Sequence, residues 1–139
     1  MNKKIGIVIK QDARAQKTAD KLIHAFDGLI IPIDVHDPSQ RKHSLSLLDD
    51  LFCIVVLGGD GTFLSAARFL DGGDDPLMNI PLMGVKFGNV GFLAETTEDH
   101  LYDALEAILA HRFTVEERGR LRVRVERDGQ CIRQADVLN

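Results

Sequence analysis

Two rhythms of apolar residues alternate along the chain. Short runs rich in β-branched side chains occupy residues 3–9, 29–35, 51–57 and 79–85, and these predict buried strands. Between and after them apolar positions recur at helical spacing. Ala15, Ala19, Leu22, Ile23 and Phe26 share one face of a segment that follows Asp12, a residue placed to cap a helix, while Lys17, Asp20 and Lys21 face water. Asp27 and Gly28 end that helix, and Pro32 assigns the second run to a sheet edge or a strand limit, because proline brings no N–H to a ladder. Residues 44–50 read as a short helix leading into the third run. That run meets a turn of Gly58, Gly59, Asp60 and Gly61, and Thr62 opens the next helical segment. A last helix spans 97–112, with Thr97 and Asp99 as its cap and Leu101, Leu105, Ile108 and Leu109 as its apolar stripe.

Beyond residue 112 the pattern changes. Val115, Leu121, Val123 and Val125 alternate with charged residues, and Asp128 with Gly129 is a two-residue hairpin signal. Strands interleaved with helices predict an α/β fold: an open parallel sheet flanked by helices over residues 1–112. Residues 113–139 are expected to end it in an antiparallel hairpin that begins a second, all-β domain. A hairpin alone leaves unpaired edges, so pairing with further β structure or with another copy of the chain is expected.

Composition narrows the partners more than the fold. A chain of 139 residues buries one respectable core, and a formal charge of -4 gives no electrostatic reason to bind nucleic acid or an anionic membrane. No apolar run approaches the length of a bilayer span, and the start, MNKKIGIVIK, lacks a signal peptide's apolar core and cleavage pattern, so a cytoplasmic location is expected. Cys53 and Cys131 are too few for a disulfide framework and are read as structural. His36 and His43 match no zinc-site spacing. Asp74 and Asp75 stand among Gly72, Gly73 and Pro76 and read as a helix-ending turn ahead of a magnesium site. Arg118, Arg120, Arg122 and Arg124 suggest a phosphate comb, yet alternation puts the last three on one solvent face. Lys10, at the end of the first strand, is read as solvated, with phosphate contact as the alternative.

The candidate chemistry lies in two glycine-rich stretches. Strand, glycine turn and helix over residues 51–70 form a corner in which the backbone can approach a ligand and the first helical turn presents unpaired N–H groups, which suits a phosphate. Asp60 would repel a bare phosphate, so its carboxylate implies work on a hydroxyl or on a metal ion beside the phosphate. The second stretch, KFGNVGFLAE, leaves the fourth predicted strand, whose end is read at Gly84. If the third and fourth strands are parallel, both stretches open onto one crevice.

These stretches, GGDGTFLSAAR and IPLMGVKFGNVGFLAE, resemble the NAD kinases. The turn is shared with diacylglycerol and sphingosine kinases, and the second motif narrows the choice. The resemblance implies transfer of the γ-phosphoryl group of ATP, or of polyphosphate, to the 2′-hydroxyl of the adenosine ribose of NAD, with magnesium or another divalent cation. It implies Asp60 as the acceptor of the hydroxyl proton, Gly58, Gly59, Gly61 and Thr62 facing phosphates, Gly88 in the second loop, Phe92 beside the adenine and Asn139 on the dinucleotide. A helix amino end favours an ionised carboxylate and weakens it as a base, which a loose phosphoryl-transfer transition state tolerates. Lys86 stands where the family usually has asparagine; it offers donors and a charge only, suited to a phosphate. Family members form homo-oligomers, and a longer all-β domain follows their asparagine, so this chain resembles the family's amino-terminal part. A lipid or sugar kinase of the same superfamily and a non-catalytic nucleotide-binding module are the alternative readings.

Overall fold

The structure is a computed structural model that describes residues 4–37, 50–70, 80–87 and 93–138. Among these, five strands form one sheet in the order β2-β1-β3-β4-β5, and every neighbouring pair is parallel. The strands are β1 (Lys4–Ile9), β2 (Ile30–Pro32), β3 (Leu51–Leu57), β4 (Leu82–Lys86) and β5 (Ala94–Thr97). Helices α1 (Ala13–Ala25), α2 (Asp60–Leu70) and α3 (Leu101–Leu109) cover the sheet. The parallel α/β architecture expected from the alternating rhythms is the one observed.

β3 lies at the centre and is buried at every position except Phe52, as a strand covered on both faces must be. Its side chains divide the core by the period of two. Cys53, Val55 and Leu57 pack with Ala19 and Leu22 of α1 and with Leu101, Leu105 and Ile108 of α3. Ile54 and Val56 face the other way, against Ala66, Phe69 and Leu70 of α2. A buried Ile, Leu or Val contributes roughly 1.5–3 kcal/mol, so these two layers hold the sheet edge that carries the glycine motifs. Burial also pushes the Cys53 thiol up to about 12, which makes it an inert core group.

Local chemistry explains most boundaries. Asp12 caps α1 as expected, its Oδ1 accepting the Ala15 N–H at 2.8 Å. β2 is an edge strand of three residues that stops at Pro32. The hairpin of β6 (Leu121–Arg127) and β7 (Gln130–Val137) closes through Asp128 at φ 51° and Gly129 at φ 75°, the left-handed pair a tight hairpin turn requires. Arg122 is no free phosphate ligand there: it makes two hydrogen bonds, of 2.9 and 3.2 Å, to the carboxylate of its cross-strand partner Asp136.

Four expectations are corrected. The helix after the third strand begins at Asp60, two residues before Thr62, which places the carboxylate in the first helical turn. Gly84 is not a strand end; it lies inside β4, where an added Cβ would stand 3.1 Å from the Ala94 Cα and 3.2 Å from the Leu93 carbonyl oxygen. Its missing side chain admits β5 alongside. Thr97 makes no side-chain cap, because residues 94–97 pair with β4 as β5 and a 3-10 turn, Glu98–His100, precedes α3. Cys131 is exposed on the hairpin, whereas Cys53 is buried. The helix expected at 44–50, His43 and the pair Asp74 and Asp75 lie outside the described residues, apart from the turn residue Asp50.

Candidate functional site

β3 and β4 run in register, Ile54 beside Leu82 and Leu57 beside Val85. Parallel neighbours leave a sheet at the same edge, so the Gly58 turn and the residue after Lys86 emerge side by side. β5 begins beside Gly84, two residues short of that edge, and reaches it where Thr97 pairs with Lys86. The Gly58 turn and the start of the second motif at Phe87 therefore leave the carboxyl edge of one sheet.

The three turn glycines differ in what surrounds them. A Cβ on Gly58 would stand 2.6 Å from Thr62 Oγ1 and 3.0 Å from the Lys10 Cβ, so the turn closes only without a side chain. At Gly59 and Gly61 an added Cβ meets nothing within 4 Å among the described residues. Open space thus lies over the start of α2. The first helical bond runs from the Phe63 N–H to the Gly59 carbonyl at 3.1 Å, and the N–H groups ahead of it have no carbonyl one turn back along the helix. Open space at a helix amino end, with the dipole's positive end beneath it, suits an anion.

Asp60 joins the two motifs. Its half-buried carboxylate accepts the backbone N–H of Leu93, 33 residues on, at 3.1 Å. Leu93 is the residue through which the second motif enters β5. The acid is therefore held at the junction of both stretches and is not turned away into packed protein.

Lys86 ends β4 and is half-buried. The strand period places it on the face of Leu82 and Gly84, where Gly84 abuts Phe63 of α2, while Met83 and Phe87 pack with the opposite layer. Lys10 flanks the Gly58 turn through its Cβ, and its exposed ammonium lies 3.5 Å from Asp12 Oδ2. The Ala15 N–H holds the Asp12 carboxyl below the usual carboxylate value against the opposing effect of desolvation, with lesser help from Lys10 and the Arg14 N–H. Gly88, Phe92 and Asn139 lie outside the described residues. Among the described residues no three His, Cys, Asp or Glu side chains group as a metal site. No helix among them is long and apolar enough to cross a membrane.

A cavity of about 720 Å³ opens to one side, walled by Phe63, Ala67 and Leu70 of α2, by Leu93, and by Phe113 and Leu138. No residue from Gly58 to Thr62 lines it, so this cavity is distinct from the glycine turn.

Known proteins were compared against this geometry. The sequence profile of the ATP-NAD kinase N-terminal domain matches residues 41–113, just over half of the chain and the part that holds both glycine motifs. The chain belongs to the NAD kinase family. It is 40% identical to the NAD kinase of Desulfatibacillum aliphaticivorans over 148 aligned positions, covering 99% of this chain and 49% of that protein. The NAD kinase of Geobacter sulfurreducens is likewise 40% identical, with the same coverage of each. The chain thus spans about half the length of the curated NAD kinases it matches. Yeast NADH kinase, solved with NADH, shares the fold at a TM-score of 0.68 and 14% identity, over 99% of this chain and 46% of that one.

Sequence reading missed two features of this NAD kinase domain. One is the bond from Leu93 to Asp60. The other is a cluster of Arg14, Thr18, Phe87 and Glu98 at the same sheet edge. Neither pattern is local, and no short motif announces contacts between residues so far apart.

Proposed function

We propose that this chain is the amino-terminal, nucleotide-binding part of an enzyme that moves the γ-phosphoryl group of ATP to the 2′-hydroxyl of the adenosine ribose of NAD, giving NADP. The observation that carries this reading is the Asp60 carboxylate, held by the Leu93 N–H between two glycine motifs on one sheet edge, in a chain of the NAD kinase family.

The residues fit ATP phosphates. Open space over Gly59 and Gly61, at the amino end of α2, leaves backbone N–H groups available to phosphate oxygens, and Thr62 lies in the same turn. A divalent ion bound together with the nucleotide would supply neutralisation of phosphate charge there. Asp60 orients the ribose hydroxyl and accepts its proton, while the protein otherwise supplies position and dryness. Lys86, on the α2 face, contributes a cation toward the phosphates. By resemblance, Gly88 and Phe92 close over the adenosine and Asn139 hydrogen-bonds the dinucleotide. Residues 113–139 belong with a second, all-β unit that lines the site from the other side.

The test is formation of NADP from NAD with ATP and magnesium ions, beside calorimetric titration of each nucleotide. In the full-length enzyme, with its all-β unit present, Asp60 should support turnover and Asp60→Asn should lose roughly a hundredfold or more in kcat, the usual contribution of a positioned base, whereas these 139 residues alone are expected to turn over poorly. Equal turnover by the Asn variant, or neither nucleotide binding, would overturn the reading. Transfer to a lipid or sugar hydroxyl in preference to NAD would favour the sister kinases.

A further inference from the structure

We infer that Arg14 is a positioning residue for this nucleotide site: it holds Phe87, and with it the point where the second glycine motif leaves the sheet. The inference rests on the reading of the site just given.

Arg14 lies in the first turn of α1, which begins at the carboxyl end of β1, on the sheet edge that carries both motifs. Its guanidinium carbon sits 5.5 Å from the centre of the Phe87 ring, within cation–π reach. The same guanidinium pairs with Glu98 Oε2, and Thr18, one helical turn further along α1, donates its hydroxyl to Glu98 Oε1 at 3.2 Å. Both oxygens of Glu98 are thus engaged from one helix. Glu98 follows β5 directly, and Phe87 follows β4 directly.

An exposed ion pair alone would contribute little. Here the planar cation bridges an acid that a second donor already fixes and a ring that packs against the α1 and α3 layer. Two anchors result at the described ends of the connection from β4 to β5. Leu93 is held by Asp60, and Phe87 by Arg14. Lys86 precedes Phe87 directly, so freeing the ring loosens the end of β4 from which the proposed phosphate contact is made. Arg14 is paired with Glu98 and Phe87, and its part is to keep that path in place.

The experiment compares the wild-type protein with Arg14→Ala, Arg14→Lys and Glu98→Gln. Two quantities are read: amide exchange at Leu93 without ligand, and KM against kcat for NAD and ATP with calorimetric affinities beside them. Arg14→Ala should speed exchange at Leu93 and raise KM by about three- to tenfold, the scale of a lost cation–π contact plus an ion pair, with kcat within about twofold. Arg14→Lys, which keeps the charge and loses the plane, should recover part of both, and Glu98→Gln should fall between. Unchanged exchange and unchanged KM in Arg14→Ala would overturn the inference, as would a lowered melting temperature with neither quantity moved. If the wild-type protein binds no nucleotide, the kinase reading fails, and exchange at Leu93 still decides whether Arg14 positions this segment.

Discussion

Replacing the three turn glycines one at a time by alanine should separate packing from ligand space. In Gly58→Ala the new methyl would stand 2.6 Å from Thr62 Oγ1, 2.8 Å from Thr62 Cβ and 3.0 Å from Lys10 Cβ. Carbon atoms in contact prefer about 3.5–4.0 Å, and a Cβ is fixed to its backbone, so the start of α2 or the end of β1 must shift. Overpacking of this kind costs about 1–3 kcal/mol. With an unfolding entropy of ~2.1 cal/mol/K per residue over 139 residues, that corresponds to a fall in Tm of roughly 3–10 °C. Gly59→Ala should leave Tm nearly unchanged, because its methyl meets nothing within 4 Å and, among the described glycines, only Gly28 and Gly129 have positive φ. Gly61→Ala should stabilise α2 by up to ~1 kcal/mol through helix propensity. Yet both methyl groups fill the space assigned to phosphate, so both variants should lose ATP affinity by roughly tenfold or more, about 1.4 kcal/mol per decade. Thermal unfolding gives the first quantity and calorimetric titration with ATP and magnesium the second. Wild-type ATP affinity in Gly59→Ala and Gly61→Ala would mean that phosphate does not lie over the turn, and a wild-type Tm in Gly58→Ala would mean that the turn has room for a methyl group.

Three further outcomes are expected. Leu105→Ala, at a position 1% exposed under the sheet, should destabilise the fold by about 2–5 kcal/mol in urea unfolding; a smaller loss would mean that α3 does not cover this layer. The Asp12 carboxyl is held below its ordinary value, so the stability it adds is present above the unfolded value near 3.8 and is lost as pH falls through the lower, folded value. Asp12→Ala should therefore lower Tm at neutral pH and flatten the acid limb of the Tm profile below about pH 4, and an unchanged acid limb would remove the cap from the account. Iodoacetamide at mildly alkaline pH should label exposed Cys131 and spare Cys53, whose thiol burial raises to about 12; its raised value adds stability that is full below the unfolded value near 9.0 and fades as pH climbs through about 12. Labelling of native Cys53 at the rate of Cys131 would contradict the packing of β3.

Much of this architecture can be read from residues because the responsible physics is local. Asp12 ahead of an amphipathic segment, Pro32 at a sheet edge and Asp128 with Gly129 in a hairpin each act through the backbone beside them. The Gly58 to Thr62 turn belongs to the same class. β5 is harder to see. AETT is only four residues long and carries no bulky apolar side chain, and it becomes a strand because Gly84 lets it lie against β4. The expected Thr97 cap fails for that reason. Likewise, nothing near Asp60 announces that its carboxylate accepts the Leu93 N–H, and nothing near Arg14 announces Phe87. Those contacts follow from strand order, which the periodicity of single segments does not encode.

The central claim is that nucleotide binds where the two glycine motifs meet. Amide chemical shifts followed during titration with ATP and magnesium, and then with NAD, test it most directly. The largest changes are expected at Gly59, Gly61 and Thr62, with further changes at Lys86 and Leu93, and little change along β6 and β7 away from the site. Changes concentrated in the hairpin or around the cavity near Phe113, with Gly59 and Gly61 unmoved, would contradict it.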